Sequence, residues 1–414
     1  MARVQVYQAT NFYDAVFWYG EVERADTSRI VLSDGSFTTT YRGSFSYDAW
    51  DEPYGVLTGF EETYLGARLS TVTGISVEAN QAYQLIVSGD DIGLLQVALR
   101  GADTIIGSEF SDTLDGFAGN DRIFGGGGND DIWGDAGSDY IDGGTGADTA
   151  HFLESRSDYI VTSFGGKIGV SGLGAETGTD ILVGVERLAF WDAEIAAPKQ
   201  NFDALEYIAS YGDLIVAFGD NAELGFSHYV NRGAYEGRVT TFDSLEYVAS
   251  YRDLINAFGA DADDGARHYI NHGAREGREV SFDSLEYIAS HRDLINAFGT
   301  NADSGAQHYI NYGAREGRTT TFDSLEYIAS YRDLIDAFGA NADRGAQHFI
   351  ANGAREGRSA DLFDAEQYLG NYADLRGVFG DDTEAATRHY IQYGANEGRT
   401  DDALNPFPPD DFLF

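Results

Sequence analysis

An aspartate recurs every nine residues along one stretch of this chain, and an apolar residue follows each aspartate two positions later. The aspartates are Asp103, Asp112, Asp121, Asp130, Asp139 and Asp148, and the apolar residues are Ile105, Leu114, Ile123, Ile132, Ile141 and Ala150. Neither a helix, which repeats about every 3.6 residues, nor a hairpin keeps such a period. It predicts a parallel solenoid in which about six residues turn and about three form a strand, with the apolar residues inside.

Glycines and negative charge in the same stretch indicate a bound cation. Glycine is needed where a turn enters positive φ or where its carbonyl must approach a ligand. Residues 101–150 contain eleven acidic residues and one basic residue, Arg122, a net charge of −10. Calcium relieves the repulsion between stacked carboxylates because it accepts about six to eight carboxylate and carbonyl oxygens. The stretch is therefore predicted to be a calcium-dependent β-roll rather than a disordered Gly-Asp linker, since a linker does not keep isoleucine in phase.

The clearest unit, Gly125–Trp133 (GGGGNDDIW), resembles the G-G-x-G-x-D-x-U-x nonapeptide of RTX, or hemolysin-type calcium-binding, proteins. The units that begin at Gly116, Gly134 and Gly143 match it with single departures, among them Phe117 and Asp135 in place of the second glycine. In the unit that begins at Gly107, Ser108 and Phe110 replace both inner glycines. That change weakens the case for calcium sites built on this unit.

The resemblance implies that calcium lies between half-turns two nonapeptides apart and is held by aspartates and glycine-loop carbonyls. One edge of the roll then uses Asp103, Asp121 and Asp139, and the other uses Asp112, Asp130 and Asp148. We expect about two to four ions, with the pairs Asp121/Asp139 and Asp130/Asp148 the best supported. The glycines that complete the predicted sites are Gly116, Gly119, Gly125, Gly126, Gly128, Gly134, Gly137, Gly143, Gly144 and Gly146.

Composition narrows the possible partners. The 414 residues carry a formal net charge of −41, which argues against nucleic acids and anionic membranes. Cysteine is absent, so neither disulfides nor thiol chemistry contributes. No run approaches the ~20 apolar residues of a membrane span, and the start of the chain lacks the features of a cleaved signal peptide. The RTX resemblance implies secretion through a type I ABC transporter, which reads an uncleaved C-terminal signal. Residues 401–414, ending in Phe412, Leu413 and Phe414, fit that signal.

The pattern along the chain predicts a multidomain protein. Residues 1–100 alternate apolar and polar residues, with Asp34-Gly35 at a tight turn, and predict a β-rich domain. Residues 101–196 combine the β-roll with strands, from Asp158 to Ile195, that cap its open end. Residues 201–400 contain five copies of a motif of about forty residues, which begin at 202, 242, 282, 322 and 363 and predict an α-helical solenoid.

Each copy is predicted to contain a pair of helices. In the second copy Asp243 and Glu246 form a capping box that opens the first helix, and Gly259 closes it. The motif SYRD, residues 250–253, leaves open a break into two short helices. Asp261 caps the second helix, which is predicted to end at Gly273.

Each copy also carries one histidine and one EGR triplet. The histidines are His228, His268, His308, His348 and His389. They are predicted to serve packing or hydrogen bonding, and the alternative is haem, metal or proton binding. The Glu and Arg of the triplets, from Glu236/Arg238 to Glu397/Arg399, are predicted to pair between copies.

These features favour a secreted, non-enzymatic protein that folds on extracellular calcium. The array is predicted to bind a cell-surface or matrix component, or to self-associate, in adhesion, a biofilm matrix or a surface layer. The alternative is a secreted hydrolase whose activity resides in residues 1–100. The first histidine is His151, so such an enzyme would rely on carboxylates, for which Asp14, Glu21, Asp48 and Glu61 are available. The HExxH and GxSxG motifs of RTX proteases and lipases are absent.

Overall fold

The computed structural model describes residues 1–12, 21–174 and 178–403. Asp14 and residues 404–414 of the predicted secretion signal lie outside the described residues. The chain forms two compact units, one of residues 1–207 with 221–240, and one of residues 208–220 with the described residues from 241 onward. Within the described ranges, no helix is both long and apolar enough to cross a membrane. The boundaries at residues 100, 196 and 400 stay predictions.

The first unit is rich in β-structure, as predicted. Its strands are β1 (Arg3–Val6), β2 (Glu21–Ala25), β3 (Arg29–Ser33), β4 (Phe37–Tyr47), β5 (Pro53–Tyr64), β6 (Ala67–Glu78), β7 (Thr104–Ile106), β8 (Thr113–Asp115), β9 (Arg122–Phe124), β10 (Asp131–Trp133), β11 (Tyr140–Asp142), β12 (Thr149–His151), β13 (Tyr159–Phe164), β14 (Lys167–Gly172), β15 (Thr179–Val183), β16 (Arg187–Ala189) and β17 (Glu194–Ala196). Helices α1 (Ala79–Ser88) and α2 (Asp91–Ala98) follow β6.

Strands β2 to β6 form an antiparallel meander, and the predicted Asp34-Gly35 turn joins β3 to β4. Gly35 has a φ of 92°, which explains why glycine stands there. Strand β1 pairs antiparallel with β6 on one side and parallel with β7 on the other. The meander and one face of the roll therefore belong to a single twelve-stranded sheet.

The nine-residue repeats alternate between two sheets. Strands β7, β9 and β11 pair in parallel in the twelve-stranded sheet, whereas β8, β10 and β12 pair in parallel in a five-stranded sheet. The isoleucines and leucine of the repeats face inward and are at most 1% exposed. Strands β15 and β16 continue the two parallel stacks, and the antiparallel strands β13, β14 and β17 then cover the end. This is the predicted parallel β-roll with its β cap.

The five copies of the array have closely similar helices. They are α3 (Ala204–Ala209), α4 (Gly212–Phe218) and α5 (Ala222–His228) in the first; α6 (Ser244–Ser250), α7 (Arg252–Phe258), α8 (Ala262–His268) and α9 (Ala274–Glu276) in the second; α10 (Ser284–Ala289), α11 (Arg292–Phe298), α12 (Ala302–His308) and α13 (Ala314–Glu316) in the third; α14 (Ser324–Ala329), α15 (Arg332–Phe338), α16 (Ala342–His348) and α17 (Ala354–Glu356) in the fourth; and α18 (Ala365–Asn371), α19 (Ala373–Phe379), α20 (Thr383–His389) and α21 (Ala395–Glu397) in the fifth. The series of helical repeats confirms the predicted array.

The second to fifth copies each contain three helical segments, because the break that the sequence left open in the first predicted helix is present. The first predicted helix breaks at Tyr251, between α6 and α7. The last helix does not end at Gly273. A π-helical turn, Tyr269–Gly273, joins α8 to α9, and the helix ends at Gly277, which has a φ of 69°.

Gly273 lies inside the helix because a buried tyrosine needs the space. A Cβ at this position would lie 2.2 Å from the hydroxyl oxygen of Tyr247, and Tyr247 is 0% exposed. The same contact recurs at Gly313 with Tyr287, at Gly353 with Tyr327 and at Gly394 with Tyr368. The glycine that resembles a helix terminator in the sequence is therefore a packing residue.

We expect Gly313→Ala to destabilise the array by roughly 2–3 kcal/mol, because the added methyl group meets the buried hydroxyl of Tyr287 at 2.2 Å. Gly212→Ala is the matched control, since its Cβ meets nothing within 4 Å and the fifth copy has Ala373 at that place. Urea unfolding followed by helical circular dichroism measures both changes. An equal free energy of unfolding for the two variants would contradict this account.

Adjacent copies are joined through their helix starts. Asp243 accepts a hydrogen bond from the backbone N–H of Glu246 at 2.8 Å, as predicted for a helix cap. The Glu246 carboxylate does not close the box on Asp243. It accepts from the backbone N–H of Ser284, in the next copy, at 2.8 Å. Glu286 and Ser324 repeat the contact at 2.9 Å, so this glutamate sets the register between copies.

Candidate calcium-binding site

The six aspartates of the nonapeptides form two hydrogen-bonded ladders inside the roll. The backbone N–H of four of them donates to the carboxylate eighteen residues further on: Asp103 to Asp121 at 2.7 Å, Asp121 to Asp139 at 2.7 Å, Asp112 to Asp130 at 2.8 Å and Asp130 to Asp148 at 2.8 Å. All six are at most 3% exposed. A buried carboxylate requires compensation by hydrogen bonds, opposite charge or metal.

The ladder bonds satisfy only one oxygen of each carboxylate. The second oxygen, Oδ2, is buried and has no hydrogen-bond donor among the described residues in five of the aspartates: Asp103, Asp121, Asp130, Asp139 and Asp148. An unpaired buried carboxylate oxygen is strongly unfavourable, because it has lost its water and gained nothing in return. Five such oxygens in one short segment indicate that a ligand belongs beside them.

The first glycine of each repeat keeps the space beside Oδ2 open. A Cβ on Gly125 would lie 2.3 Å from Oδ2 of Asp130 and 2.5 Å from the carbonyl oxygen of Gly143. Gly116 shows the same arrangement, at 2.7 Å from Asp121 Oδ2 and 2.9 Å from the Gly134 carbonyl. Carboxylate and carbonyl oxygens thus converge on a space that any side chain would fill, which is the oxygen-only donor set that calcium prefers.

The inner glycines allow the coils to approach closely. Gly119, Gly128, Gly137 and Gly146 have φ values between 104° and 147°, and a Cβ on any of them would meet backbone atoms of the neighbouring coil. Gly126 and Gly144 have φ values of 101° and 94°. Phe117 and Asp135, which replace the equivalent glycines, take the same left-handed conformation at 63° and 61°. The coil geometry therefore persists where the motif departs from its consensus.

The degenerate repeat behaves differently. Ser108, which replaces a glycine there, donates to Oδ2 of Asp112 from both its backbone N–H, at 2.7 Å, and its hydroxyl, at 2.8 Å. Both oxygens of Asp112 therefore have hydrogen-bond donors, in contrast to the other five aspartates.

Two acidic residues outside the nonapeptides extend the ladders. The backbone N–H of Asp139 donates to Asp180 at 2.9 Å, and that of Asp148 donates to Glu186 at 2.8 Å. Neither residue was predicted as part of the site. A signal was present, since Asp180 is followed by Leu182 and Gly184 in the same D-x-U-x-G order as the repeats. At the other end, Ala2 and Thr10 donate to Asp103 and Asp112.

Burial also changes the protonation of the ladders. It raises the pKa of Asp121 to about 7 and the pKa values of Asp130 and Asp139 to about 6, and neighbouring carboxylates add to the increase. Burial and the charge of Asp139 raise the pKa of Asp180 as well. Without a cation, the folded roll therefore holds protons that the unfolded chain would release at neutral pH.

The calcium-free roll is therefore expected to be more stable at pH 5.5 than at pH 8, because folded-state pKa values above those of the unfolded chain favour folding as pH falls. Calcium should have the opposite dependence and stabilise more at pH 8, since protons compete for the same oxygens. The strand signal in far-UV circular dichroism, recorded in chelator and then during a calcium titration at both pH values, measures this. In an Asp121→Asn/Asp130→Asn/Asp139→Asn variant the difference between calcium and chelator should shrink. A calcium-free roll less stable at pH 5.5 would contradict the burial of these carboxylates.

Side chains alone do not enclose a metal ion. Across the residues that the structure describes, no group of three or more His, Asp or Glu side chains lies together as a metal cluster. A calcium site here therefore requires backbone carbonyls beside the aspartates, as the glycine turns provide. The residues fit calcium and not a transition metal, which would favour imidazole or thiolate.

The array histidines have a structural partner. Nδ1 of each lies within hydrogen-bond distance, 2.9–3.0 Å, of the hydroxyl of a fully buried tyrosine: His228 with Tyr207, His268 with Tyr247, His308 with Tyr287, His348 with Tyr327 and His389 with Tyr368. This confirms the predicted hydrogen-bonding role. One local pair stands out, His268 and His272, with ring centroids 5.5 Å apart.

The EGR triplets do not pair between copies, contrary to the prediction. Arg278 donates to Glu276 of its own triplet at 2.8 Å and to Asp253 of the same copy at 2.9 Å, and it lies over the ring of Tyr251. The third, fourth and fifth copies repeat both ion pairs. The two segments that meet are twenty-five residues apart in the chain, so the contact closes each copy on itself.

Two of the carboxylates considered for a hydrolase, Glu61 and Asp48, have structural partners. Glu61 forms ion pairs with Arg42 and Arg68 at 3.2 and 2.8 Å. Asp48 accepts from the backbone N–H groups of Trp50 and Glu52 and so holds a turn. Glu21 lies at the exposed start of β2.

The fold of this segment is a parallel β-roll with two ladders of buried carboxylates. Residues 98–132 and 115–150 match the family model described as the RTX calcium-binding nonapeptide repeat, four copies. This segment therefore contains RTX repeats, and RTX repeats bind calcium. Proteins with these repeats are generally secreted.

A comparison with curated proteins found no match. Among solved structures, the crystal structure of the extracellular lipase LipA from Serratia marcescens is 24% identical over 23% of this chain and 16% of that chain, with a TM-score of 0.21. The match spans a small part of that protein, and no conclusion about activity follows from it.

Proposed function

We propose that the chain is a secreted protein whose β-roll folds on extracellular calcium. The observation that carries the proposal is the set of five buried Oδ2 atoms without a donor beside glycine turns. The ligands would be the aspartate Oδ2 atoms and the carbonyls of the turns, with the pairs Asp121/Asp139 and Asp130/Asp148 foremost. Calcium would supply positive charge to the ladders. About two to four ions remain the expected number.

Export through a type I ABC transporter belongs to the same proposal. A calcium-free roll carries unpaired buried carboxylates, so the chain would stay unfolded where free calcium is scarce. Folding would then follow export, because metal binding supplies part of the folding free energy. The coupling between calcium and folding supports secretion independently of the C-terminal residues.

The helical array is proposed to bind a cell-surface or matrix component, or another copy of the chain, without catalysis. Its histidines and EGR triplets are engaged within each copy, which leaves the outer surface for partners. That surface exposes large apolar side chains, among them Tyr312 at 60%, Tyr393 at 57% and Val378 at 75%. Tyr312 and Tyr393 occupy the same place in the third and fifth copies and lie beside His308 and His389. Repeated exposed aromatic groups are typical of binding surfaces.

The proposal is tested by retention of the purified chain on the envelope of producing cells, with calcium and with chelator. We expect calcium-dependent retention that falls in a Tyr312→Ser/Tyr393→Ser variant. Trp50→Ser, which removes an 83% exposed aromatic residue outside the array, is the matched control. Retention unaffected by the tyrosine changes would overturn the role of this surface. Hydrolysis of envelope polysaccharide by the same preparation, lost on Glu21→Gln or Asp48→Asn, would favour the hydrolase alternative.

A further inference from the structure

The β-rich region before the roll contains a cavity that the calcium-binding function does not use. It lies between the inner face of strands β2 to β5 and helix α1 and has a volume of about 590 Å³. Its walls are mostly apolar, with Leu32, Phe45 and Leu57 from the sheet and Ala82 and Ile86 from the helix. Binding sites for small organic molecules have volumes of roughly 300–1,000 Å³ and walls of this kind.

One buried polar group in the cavity wall lacks a partner. Tyr41 lines the cavity and is 3% exposed, and its hydroxyl makes no hydrogen bond within the part of the chain that the structure describes. Burial raises the pKa of this hydroxyl, and the charges of Glu62 and Asp91 add to the rise, so it stays protonated and uncharged. The second tyrosine of the sheet wall, Tyr47, differs, because its hydroxyl donates to the carbonyl of Asp26 at 3.0 Å. Less than 1 Å² of the Tyr41 hydroxyl oxygen is accessible, so the apolar ring and not the hydroxyl faces the cavity.

The opening of the cavity and the charged residues in its lining determine which kind of ligand it can bind. Val22 and Val87 line the cavity and are 61% and 49% exposed, so the opening is apolar. Among the described residues of the lining, Asp51 is charged, and none is Lys, Arg or His. A carboxylate or phosphate would enter without a counter-charge, in a chain of net charge −41. An aliphatic molecule with a neutral polar end meets none of these penalties.

We propose that this cavity binds a neutral, largely aliphatic small molecule. The aliphatic part contacts the apolar walls and extends toward Val22 and Val87. This is a binding activity of the β-rich region and does not depend on the partner of the helical array.

Displacement of the neutral fluorophore N-phenyl-1-naphthylamine from the full chain, with saturating calcium, tests the proposal. We expect 1-dodecanol to displace the fluorophore and dodecanoate at pH 8 to bind at least ~10-fold more weakly, because the two differ in the charge of their polar end. Failure of dodecanol to displace the fluorophore would overturn the proposal. Equal displacement by the two would overturn the preference for a neutral ligand.

Variants test whether the ligand binds in this cavity. Ala82→Phe fills the cavity and should abolish binding, and Val87→Trp, at the exposed mouth, provides the same test if Ala82→Phe does not fold. Tyr64→Phe, which removes a 42% exposed hydroxyl outside the lining, is the control and should leave affinity unchanged. Unchanged binding in both filling variants would exclude the cavity.

Discussion

Asparagine at positions 121, 130 and 139 is expected to leave the roll unfolded at calcium concentrations that fold the natural chain. The three Oδ2 atoms are buried, have no donor and lie beside glycine turns, so their charge is what a cation would neutralise. We expect the calcium concentration at the midpoint of folding to rise at least ~10-fold, since each carboxylate lost removes a charged ligand. Far-UV circular dichroism during a calcium titration, reversed by chelator, measures the change.

The control removes the same charge without touching the ladders. Asp131, Asp142 and Asp158 lie in or beside the strands, and Asp131 pairs with His151 at 2.7 Å outside the core. Asparagine at these three positions should leave the calcium midpoint nearly unchanged. If both variants lose calcium dependence equally, the effect is one of net charge and the ladders are not the site. A natural chain already folded in chelator would remove calcium from the folding reaction.

Gly137→Ala is expected to destabilise the calcium-loaded roll by roughly 3–5 kcal/mol, because the backbones at Gly137 and Gly119 cannot move apart without separating the coils. A Cβ at Gly137 would lie 1.5 Å from the carbonyl oxygen of Gly119, and its φ is 147°. The coil would have to open between the two half-turns that align Asp121 and Asp139. Urea unfolding in saturating calcium, followed by strand circular dichroism, gives the free energy.

Gly101→Ala is the control for that change. Its Cβ would meet nothing within 4 Å, so alanine should alter the free energy of unfolding by less than about 1 kcal/mol. A similar small effect at Gly137 would mean that the coils are further apart than the structure shows. Reduced calcium affinity in Gly137→Ala, absent from Gly101→Ala, would link the close approach of the coils to the site.

In the helical array, local sequence patterns predict where helices begin but not where they end. Helix starts were predictable, because Asp243 and Asp261 cap the helices on which they stand. The end at Gly273 was not, since the residue that requires the glycine is Tyr247, twenty-six positions earlier. A sequence does not distinguish a glycine that ends a helix from a glycine that leaves room for a packed aromatic ring.

Charged residues show the same limit. The EGR triplets were expected to join neighbouring copies, yet Arg278 closes its own copy on Asp253. The join between copies is instead made by Glu246, whose spacing from Asp243 is that of a capping box. Spacing shows that two groups share a helix, but the distance to the next copy depends on how the copies stack.

The sequence by itself determined the roll, because a nine-residue period with an apolar residue in constant phase buries that residue only if each repeat forms half a coil. The departure at Ser108 could also be read from the sequence, although its consequence, a satisfied Asp112, could not. Only the tertiary structure decided that the ladder uses one carboxylate oxygen, while Oδ2 of the other five aspartates has no donor among the described residues. It also decided that Asp180 and Glu186 complete the ladders, and that Tyr41 lies in the wall of a cavity. Each of these depends on residues brought together by folding from distant positions, where the spacing along the chain carries no information about contact.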